Sequence, residues 1–271
     1  MRCRDQVVVI TGASMGIGEA LARAFLSQGA FVAMSSRDRA RVEDSRSRIG
    51  QTERTAAIVC NVRERHQIEA LAQAARDRFG KIDVWINNAG YGLLDSVSTM
   101  SMEECRALFE TNLFGAIECM QVVAPIFKTQ GAGTIINISS IVGHLPIPHM
   151  GAYSATKHAL NAISEAARLE LEPSGISVIS VCPGRIRTNF GVNTVQGSVS
   201  KRLAENMQQG ISAERCARAV LRGYLRGTRE VFVPWHGWLL SHLYEVAPQI
   251  VEFGMRKMMK SGRSAATTTG R

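Results

Sequence analysis

The sequence of 271 residues predicts an α/β fold, a single doubly wound parallel sheet with helices on both faces. Short apolar runs alternate with segments of helical periodicity along most of the chain. A glycine-rich turn follows the first apolar run and opens a helix, as in nucleotide-binding α/β proteins. No linker or internal repeat divides the chain, and a hydrophobic content of 45% supplies a large core.

The predicted elements alternate in order along the chain. Four strands and three helices fill the first part, with strands at 7–11, 31–35, 56–61 and 84–87 and helices at 19–28, 39–49 and 68–79. The second part has strands at 134–139, 177–182 and 230–233 and helices at 103–127, 153–172 and 213–226. The helix at 103–127 is apolar around most of its circumference, which indicates burial beyond one sheet face; a subunit interface is one explanation.

Residues 1–234 are therefore predicted to form one domain. Within it, residues 189–212 are polar and contain glycine, which is typical of a mobile lid over a substrate. Residues 235–260 are an amphipathic extension that Pro248 should interrupt, giving two helices. Residues 261–271 are small and polar and are predicted to be disordered.

The charge of the chain is unevenly distributed. The net charge is +9, but residues 201–271 hold 12 Lys and Arg against 5 Asp and Glu, so most of the excess lies in the last quarter. No nucleic-acid motif accompanies this excess, so no nucleic-acid partner is expected.

The compartment is predicted from apolar runs and cysteines. No run reaches the ~18 apolar residues of a membrane span, and the first is too short for a secretory signal, so a cytoplasmic protein is expected. The six cysteines are scattered without a CxxC pair, which predicts reduced thiols, no disulfide framework and no metal site.

Two motifs at predicted strand ends suggest a nucleotide site. Residues 11–18 read TGASMGIG directly after a strand, where glycines let backbone N–H groups approach a pyrophosphate. Residues 87–90 read NNAG at the end of the fourth strand. Each motif is weak by itself, because glycine turns and Asx-rich turns are common in α/β proteins.

A third pattern carries acid–base chemistry. Tyr153 and Lys157 are four residues apart on a predicted helix, so their side chains lie on one face. A lysine ammonium beside a phenol favours phenolate and should lower the pKa of the tyrosine. Ser140, at the end of the fifth strand, could hold a substrate oxygen. Taken alone, a Tyr-x-x-x-Lys pair is equally consistent with two surface residues.

Together these residues resemble the short-chain dehydrogenase/reductase family. The glycine motif, residues 87–90, Asn112, Ser140, Tyr153, Lys157 and Pro183-Gly184 follow the family's order and approximate spacing over about residues 5–235. The resemblance implies a Rossmann-type fold with about seven parallel strands and an oxidoreductase that uses a nicotinamide cofactor.

The resemblance also implies residue roles. Tyr153 is the acid/base, Lys157 holds the nicotinamide ribose and tunes Tyr153, Ser140 stabilises the alkoxide, and Asn112 kinks its helix beside a proton relay. Thr188 matches the position that contacts the nicotinamide amide. The implied cofactor-binding residues are Gly12, Ser14, Gly16, Ile17, Gly18, Ser36, Arg37, Asn61, Val62, Asn88, Ala89, Gly90, Tyr153, Lys157, Pro183, Gly184, Ile186 and Thr188.

The end of the second predicted strand favours NADP(H) over NAD(H). NAD enzymes place a carboxylate there, whereas this chain has Ser36 and Arg37, a hydroxyl and a guanidinium that suit a 2′-phosphate. The chain departs from the family pattern at two positions of the cofactor site. Met15 replaces the second basic residue of many NADPH-dependent members, and Asn61-Val62 lacks the acidic residue that usually meets the adenine.

The substrate is predicted only by class. The stretch 141–152, with His144, Pro146, His149 and Met150, carries few charges, as does the lid before Lys201, so a lipophilic ketone or aldehyde is favoured. His144 and His149 are more typical of hydrogen-bonded loop residues than of catalytic ones. The alternative function is an NADP(H)-sensing regulator without turnover, although such proteins usually lose the tyrosine or the lysine.

The sequence also predicts how the protein assembles. A homodimer or homotetramer is expected through the helices at 103–127 and 153–172. The extension at 235–260 is predicted to cap the substrate entrance or a neighbouring subunit. The alternative is weak peripheral contact with an anionic membrane, since aromatic residues there precede Arg256, Lys257, Lys260 and Arg263.

Overall fold

The computed structural model describes residues 1–188, 190–197 and 210–267, and the strands of its central sheet follow the predicted order. They are β1 (Val7–Ile10), β2 (Phe31–Ser36), β3 (Thr55–Val59), β4 (Val84–Asn87), β5 (Gly133–Ile138), β6 (Ile176–Pro183) and β7 (Glu230–Val233). All seven are parallel, in the spatial order β7-β6-β5-β4-β1-β2-β3. The predicted fold class is confirmed.

Helices cover both faces of this sheet. They are α1 (Gly16–Leu26), α2 (Arg39–Ile49), α3 (Arg65–Phe79), α4 (Met102–Phe109), α5 (Gly115–Gln130), α6 (Gly151–Leu171), α7 (Phe190–Asn193), α8 (Ala213–Arg226), α9 (His236–Val246) and α10 (Pro248–Thr267). Successive strand side chains point to opposite faces, so two cores form. Val8 packs with α1 and α8, while Val9 packs with α3 and α5.

The strand order reverses at β1, which pairs with β2 on one side and β4 on the other. In open α/β sheets, ligands bind beyond the carboxyl ends of the strands at such a reversal. The glycine turn follows β1, the NNAG segment spans the end of β4, and Ser140 follows β5. The topology therefore brings all three motifs to one edge of the sheet.

The stretch predicted to be helical at 103–127 is helical throughout and irregular at Asn112, where the resemblance implies a kink. A π-helical turn (Glu110–Phe114) separates α4 from α5, because the buried polar side chain of Asn112 bonds outside the helix. Its apolar circumference is also largely covered within the chain: Leu108, Val123 and Phe127 are buried. Phe114 is the large apolar residue of this segment that remains exposed.

The C-terminal part differs from the prediction at its end. α9 stops at Val246 and α10 starts at Pro248, so the predicted interruption is present. The sequence predicts disorder at 261–271, whereas α10 continues to Thr267. The physical reason is that each residue added to a nucleated helix gains one backbone hydrogen bond. Residues 268–271 lie outside the described residues. Among those described, no helix has the length and apolar content to cross a bilayer.

The predicted lid at 189–212 is described only in part. Residues 190–197 contain α7 and a short strand, Val195–Gln196, that pairs with Leu93–Leu94. Ile211–Ser212 pairs with Ile186–Arg187. Residues 189 and 198–209, including Lys201, lie outside the described residues.

Candidate active site

Tyr153, Lys157 and Ser140 come together at the edge of the sheet. Both helix residues lie in the first two turns of α6 and are buried, with the Lys157 ammonium 5.8 Å from the centre of the Tyr153 ring. Ser140 is also buried and shares a hydrogen bond with Tyr153. Its hydroxyl additionally lies 3.2 Å from the carbonyl of Pro183 at the end of β6. The spacing of four therefore does place both side chains at one site.

The charge state of Tyr153 differs from the prediction. Burial raises the pKa of Tyr153 to about 12, and the hydrogen bond to Ser140 offsets this only in part. Burial likewise lowers the pKa of Lys157 to about 8. The Nζ of Lys157 donates to the carbonyl of Ile138 at 2.9 Å. A neutral phenol at neutral pH is the form that can donate a proton.

Asn112 is fixed by the backbone of Tyr91, directly after the NNAG segment. Its Oδ1 accepts from the Tyr91 N–H at 3.1 Å and its Nδ2 donates to the Tyr91 carbonyl at 2.9 Å. A Cβ added to Gly90 would lie 3.0 Å from Asn112 Oδ1 and 3.8 Å from Lys157 Nζ. Glycine at position 90 thus keeps open the space that these two groups face. The Nδ2 of Asn112 also lies 3.4 Å from Thr156 Oγ1, a contact that the sequence did not predict.

The glycine turn and the NNAG segment are tied together by Thr11. Its hydroxyl accepts from the N–H groups of Asn88 and Ala89 at 3.0 and 3.1 Å. The Asn88 carboxamide in turn donates to the carbonyls of Thr11 and Gly12, both at 2.9 Å. Thr11 is the first residue of the TGASMGIG motif but is not among the site residues that the sequence predicts. Its position directly before Gly12 was the available signal.

The start of α1 fits the pyrophosphate of a dinucleotide. Gly12 and Gly16 have φ of +66° and +60°, which side chains other than glycine adopt at a cost. No side-chain hydrogen bond caps α1, so the first-turn N–H groups at Gly16, Ile17 and Gly18 point out of the helix end. A Cβ on Gly18 would lie 2.5 Å from the Gly12 carbonyl, so only glycine allows this close approach.

Other predicted cofactor residues surround this turn. Ser14 lies within the turn. Thr188 packs against Gly16, since a Cβ added at Gly16 would lie 3.3 Å from the Thr188 side chain. Gly184 donates to the Val233 carbonyl at 2.7 Å, which fixes the chain after Pro183, and Ile186 is buried beside it. These residues could hold a nicotinamide dinucleotide along the edge of the sheet.

The adenosine side presents several basic residues. Ser36 ends β2, and its hydroxyl accepts a hydrogen bond from the Asp38 N–H at 3.2 Å. Arg37 is exposed and makes no ion pair within the part of the chain that the structure describes. An open cleft of about 550 Å³ lies beside the glycine turn, lined by Ser14, Met15, Gly16, Glu19, Arg41, Asp44 and Arg48. Arg41 and Arg48 are both ion-paired, with Asp38 and Glu19 respectively. The lining of this cleft thus carries two arginines, Arg41 and Arg48, and two acidic residues, Glu19 and Asp44.

Asn61 and Val62 follow β3 at the same edge. Asn61 Oδ1 accepts from the Arg63 N–H at 3.3 Å in a local turn. Val62 is buried, and its carbonyl and side chain press against Gly115 of α5.

An apolar cluster surrounds Tyr153. The centre of the Phe190 ring, in α7, lies 5.5 Å from the centre of the Tyr153 ring. The buried residues of the cluster are Leu93, Leu94, Leu108, Val142, Met150, Ala152 and Tyr153, and the residues that flank it include Tyr91, Met100, Ile141, Ile147, Phe190 and Val195. His149 has φ of +65° and its buried Nδ1 has no hydrogen-bond partner. His144 instead turns away from this cluster and contacts Glu230. The surroundings of the phenol are therefore mostly apolar.

Comparisons with known proteins agree with this geometry. The family model described as short chain dehydrogenase matches residues 6–198. The rat dehydrogenase/reductase SDR family member 7B is 33% identical over 239 residues, covering 85% of this chain and 74% of the relative. The ketoacyl reductase HetN of Nostoc sp. is 34% identical over 231 residues, covering 84% of this chain and 78% of the relative.

Solved structures share the fold. A short-chain dehydrogenase/reductase from Burkholderia phymatum in complex with NAD gives a TM-score of 0.85 at 23% identity, covering 92% of this chain and 96% of that one. A short-chain dehydrogenase from Burkholderia cenocepacia in complex with NADP gives 0.78 at 28% identity, covering 94% and 99%. Structures of this kind thus occur with either dinucleotide.

Proposed function

The chain belongs to the short-chain dehydrogenase/reductase family, and we propose that it reduces a lipophilic ketone or aldehyde to an alcohol with NADPH. The observation that carries this proposal is the buried Tyr153, hydrogen-bonded to Ser140 one helical turn from Lys157. A nicotinamide cofactor supplies the hydride when it is bound. The chain's own residues must then bind both molecules, hold the carbonyl and deliver a proton.

Tyr153 is the proton donor in this proposal. At neutral pH its phenol is protonated, since its pKa is raised, and it can donate to a carbonyl oxygen that gains negative charge. The Ser140 hydroxyl can donate to the same oxygen, which stabilises the developing alkoxide. Lys157 and Asn112 lie behind Tyr153 around Gly90, where they are suited to returning a proton to the phenol.

The preference for NADPH is proposed from Arg37. An exposed guanidinium without an ion pair, directly after Ser36, can bind a 2′-phosphate in a fork. Arg41 and Arg48 line the neighbouring cleft, where they are paired with Asp38 and Glu19. No acidic residue occupies position 36, where a carboxylate would repel the phosphate.

The substrate class is proposed from the apolar cluster around Tyr153. Leu93, Leu94, Met150 and Phe190 offer a surface that favours apolar groups next to the reactive carbonyl. The name of the Nostoc relative refers to ketoacyl reduction, which agrees with a ketone on an acyl or similar chain.

Assembly and location are proposed as well. A homodimer or homotetramer would cover exposed apolar residues at the end of the π-helical turn and on α6, namely Phe114, Ile163 and Leu169. We place the protein in the cytoplasm, with α9 and α10 able to contact an anionic membrane surface. Their exposed residues include Trp238, Leu239 and Phe253.

The test is NADPH oxidation against ketones, aldehydes and quinones, with a Tyr153→Phe variant in parallel. Wild type should turn over at least one lipophilic carbonyl, and Tyr153→Phe should lose about 10²–10⁴-fold in kcat because only the transferable proton is removed. NADPH affinity should stay unchanged in this variant. Tyr224→Phe is the matched control. Tyr224 is half-buried beside Phe25, far from the site, and burial raises its pKa to about 12 as well.

Two results would contradict the proposal. Activity of Tyr153→Phe within threefold of wild type would remove Tyr153 as the acid. NADPH binding without oxidation across the whole panel would favour a cofactor-sensing regulator instead.

A further inference from the structure

Three side chains with different donor atoms converge beside the candidate active site but take no part in the proposed chemistry. His144 follows the 3-10 turn Ile141–Gly143, Cys182 lies near the end of β6, and Glu230 begins β7. His144 Nε2 lies 2.9 Å from Glu230 Oε1 and 3.3 Å from Cys182 Sγ, and Sγ lies 3.3 Å from the same oxygen. A nitrogen, a sulfur and an oxygen thus form a small triangle.

The triangle does not have the geometry of a nucleophile and its base. In such a relay, one imidazole nitrogen contacts the nucleophile and the other contacts the acid. Here the same nitrogen, Nε2, contacts both Cys182 and Glu230. Cys182 is also buried, which raises the pKa of its thiol well above the usual value, so it is not an activated thiolate. Three donors that face one point are the arrangement of a metal site.

The distances and donor types suit zinc or a similar ion. Imidazole nitrogen, thiolate and carboxylate are the protein ligands of Zn²⁺, and at its bond lengths tetrahedral ligand atoms lie about 3.4–3.6 Å apart. The observed edges of 2.9, 3.3 and 3.3 Å need to widen by only about 0.1–0.7 Å to reach those separations. Thiolate and carboxylate together would bring two negative charges to the ion.

Asn161 gives a second, independent indication. It is buried, its Nδ2 donates to the Gly143 carbonyl at 3.0 Å and lies 3.2 Å from His144 Nε2, and its Oδ1 has no hydrogen-bond partner among the described residues. Zinc sites with three protein ligands keep a fourth position for water. The carboxamide of Asn161 therefore lies close enough to the triangle to contact such a water.

We infer that His144, Cys182 and Glu230 form a binding site for one thiophilic divalent cation of the zinc type. On binding, the Cys182 S–H proton passes to solvent and a sulfur–metal bond replaces it, with no change in oxidation state. The ion would join β6, β7 and the turn that follows Ser140. Cys182 precedes Pro183, whose carbonyl accepts from Ser140, so the site would also stiffen the backbone around that serine.

Cobalt titration of the full-length protein tests this inference. We expect one Co²⁺ per chain, with the near-ultraviolet charge-transfer absorption that a thiolate ligand gives, and displacement by Zn²⁺. Cys182→Ser and Glu230→Gln should each weaken Co²⁺ binding at least about tenfold. Replacing a residue that only hydrogen-bonds a metal ligand already lowers metal affinity about 10–100-fold. Cys105→Ser is the matched control, because Cys105 lies in α4 outside the cluster, and it should bind as wild type does.

Each outcome decides the inference. Glu230→Gln changes one atom and keeps the shape of the side chain, so it reports on ligation even if Cys182→Ser folds poorly. Absence of the charge-transfer band in wild type would mean that the three residues form a hydrogen-bonded cluster only. Cobalt binding that persists equally in both variants would place the ion on surface histidines and overturn the site.

Discussion

Lys157 lies where a charged side chain is costly. It is buried, and burial lowers its pKa to about 8 from the usual 10.5. Each pH unit of difference corresponds to about 1.4 kcal/mol, so the charge costs about 3 kcal/mol when the lysine is protonated at pH 7. Between pH 8 and 10.5 the unfolded chain holds this proton and the folded chain does not, so the lysine's contribution to stability rises with pH in that window.

Replacing Lys157 with methionine should therefore stabilise the protein while abolishing activity. We expect the free energy of unfolding at pH 7 to rise by about 1–2 kcal/mol, since loss of the hydrogen bond to the Ile138 carbonyl offsets part of the gain. The gain should vanish as pH approaches 10, where the wild-type lysine is neutral. Denaturant unfolding of both proteins at pH 7 and 10 measures this, and a variant less stable at pH 7 would contradict it.

Arg37 should determine the choice between the two dinucleotides. Arg37→Ala should weaken NADPH binding about 10–100-fold, the loss of a charge-assisted contact, and leave NADH binding unchanged. Titration of each cofactor measures the ratio, and Arg39→Ala, an exposed arginine two residues on, is the matched control. An unchanged ratio in Arg37→Ala would move phosphate recognition to Arg41 and Arg48 in the cleft beside Met15.

At the scale of elements, the glycine turn is the most constrained segment of the site. Gly18 faces the Gly12 carbonyl and Asn88 Nδ2, and an added Cβ would lie 2.5 and 2.6 Å from them. Neither atom can yield easily, because Asn88 bonds the turn and Thr11 bonds the NNAG segment. Strain at Gly18 would therefore push α1 away from the sheet edge.

Gly18→Ala should lower both stability and cofactor affinity. Overpacking of this kind costs about 1–3 kcal/mol. We expect a lower melting temperature together with at least about tenfold weaker NADPH binding, because the N–H groups of α1 move from the pyrophosphate. Gly254→Ala is the control, since nothing lies within 4 Å of its added Cβ. Equal NADPH affinity in Gly18→Ala would remove the turn from the binding site.

The elements also show what a sequence can predict. Apolar period and turn residues identify β1 to β7 in order, since both are local properties of the chain. The π-helical turn at Asn112 could not be predicted from period, because it depends on a hydrogen bond to Tyr91, 21 residues away. His144, Cys182 and Glu230 are likewise separated by 38 and 48 residues and meet only through the order of β6 and β7. The pKa of Tyr153 depends on burial, which spacing alone does not give.

At the scale of the whole molecule, the C-terminal helices carry exposed apolar side chains that the proposed chemistry does not use. α9 is anchored on the domain, where Ser241 is fully buried and Gly237 packs on Ile141. Val251 of α10 is buried as well, whereas the exposed large apolar residues of this region include Trp235, Trp238, Leu239, Val246, Ile250 and Phe253. Arg256 and Lys257 follow directly. Apolar and aromatic residues beside cations fit the interface of an anionic membrane.

The last prediction is that the intact protein binds phosphatidylserine vesicles weakly, through this surface. Each basic residue near anionic lipid contributes ~1 kcal/mol, so binding should fall sharply at 1 M salt, where the Debye length is about 3 Å. A double variant, Leu239→Gln with Phe253→Gln, should lose most of the binding in vesicle sedimentation and keep its fold, since both side chains are exposed. Leu169→Gln, an equally exposed leucine on α6, is the control and should bind as wild type does. These substitutions leave α9 in place, whereas truncation after Pro234 would uncover Ile141 next to Ser140. If the double variant sediments with vesicles as well as wild type does, the surface contacts something other than lipid, and a neighbouring subunit becomes the better explanation.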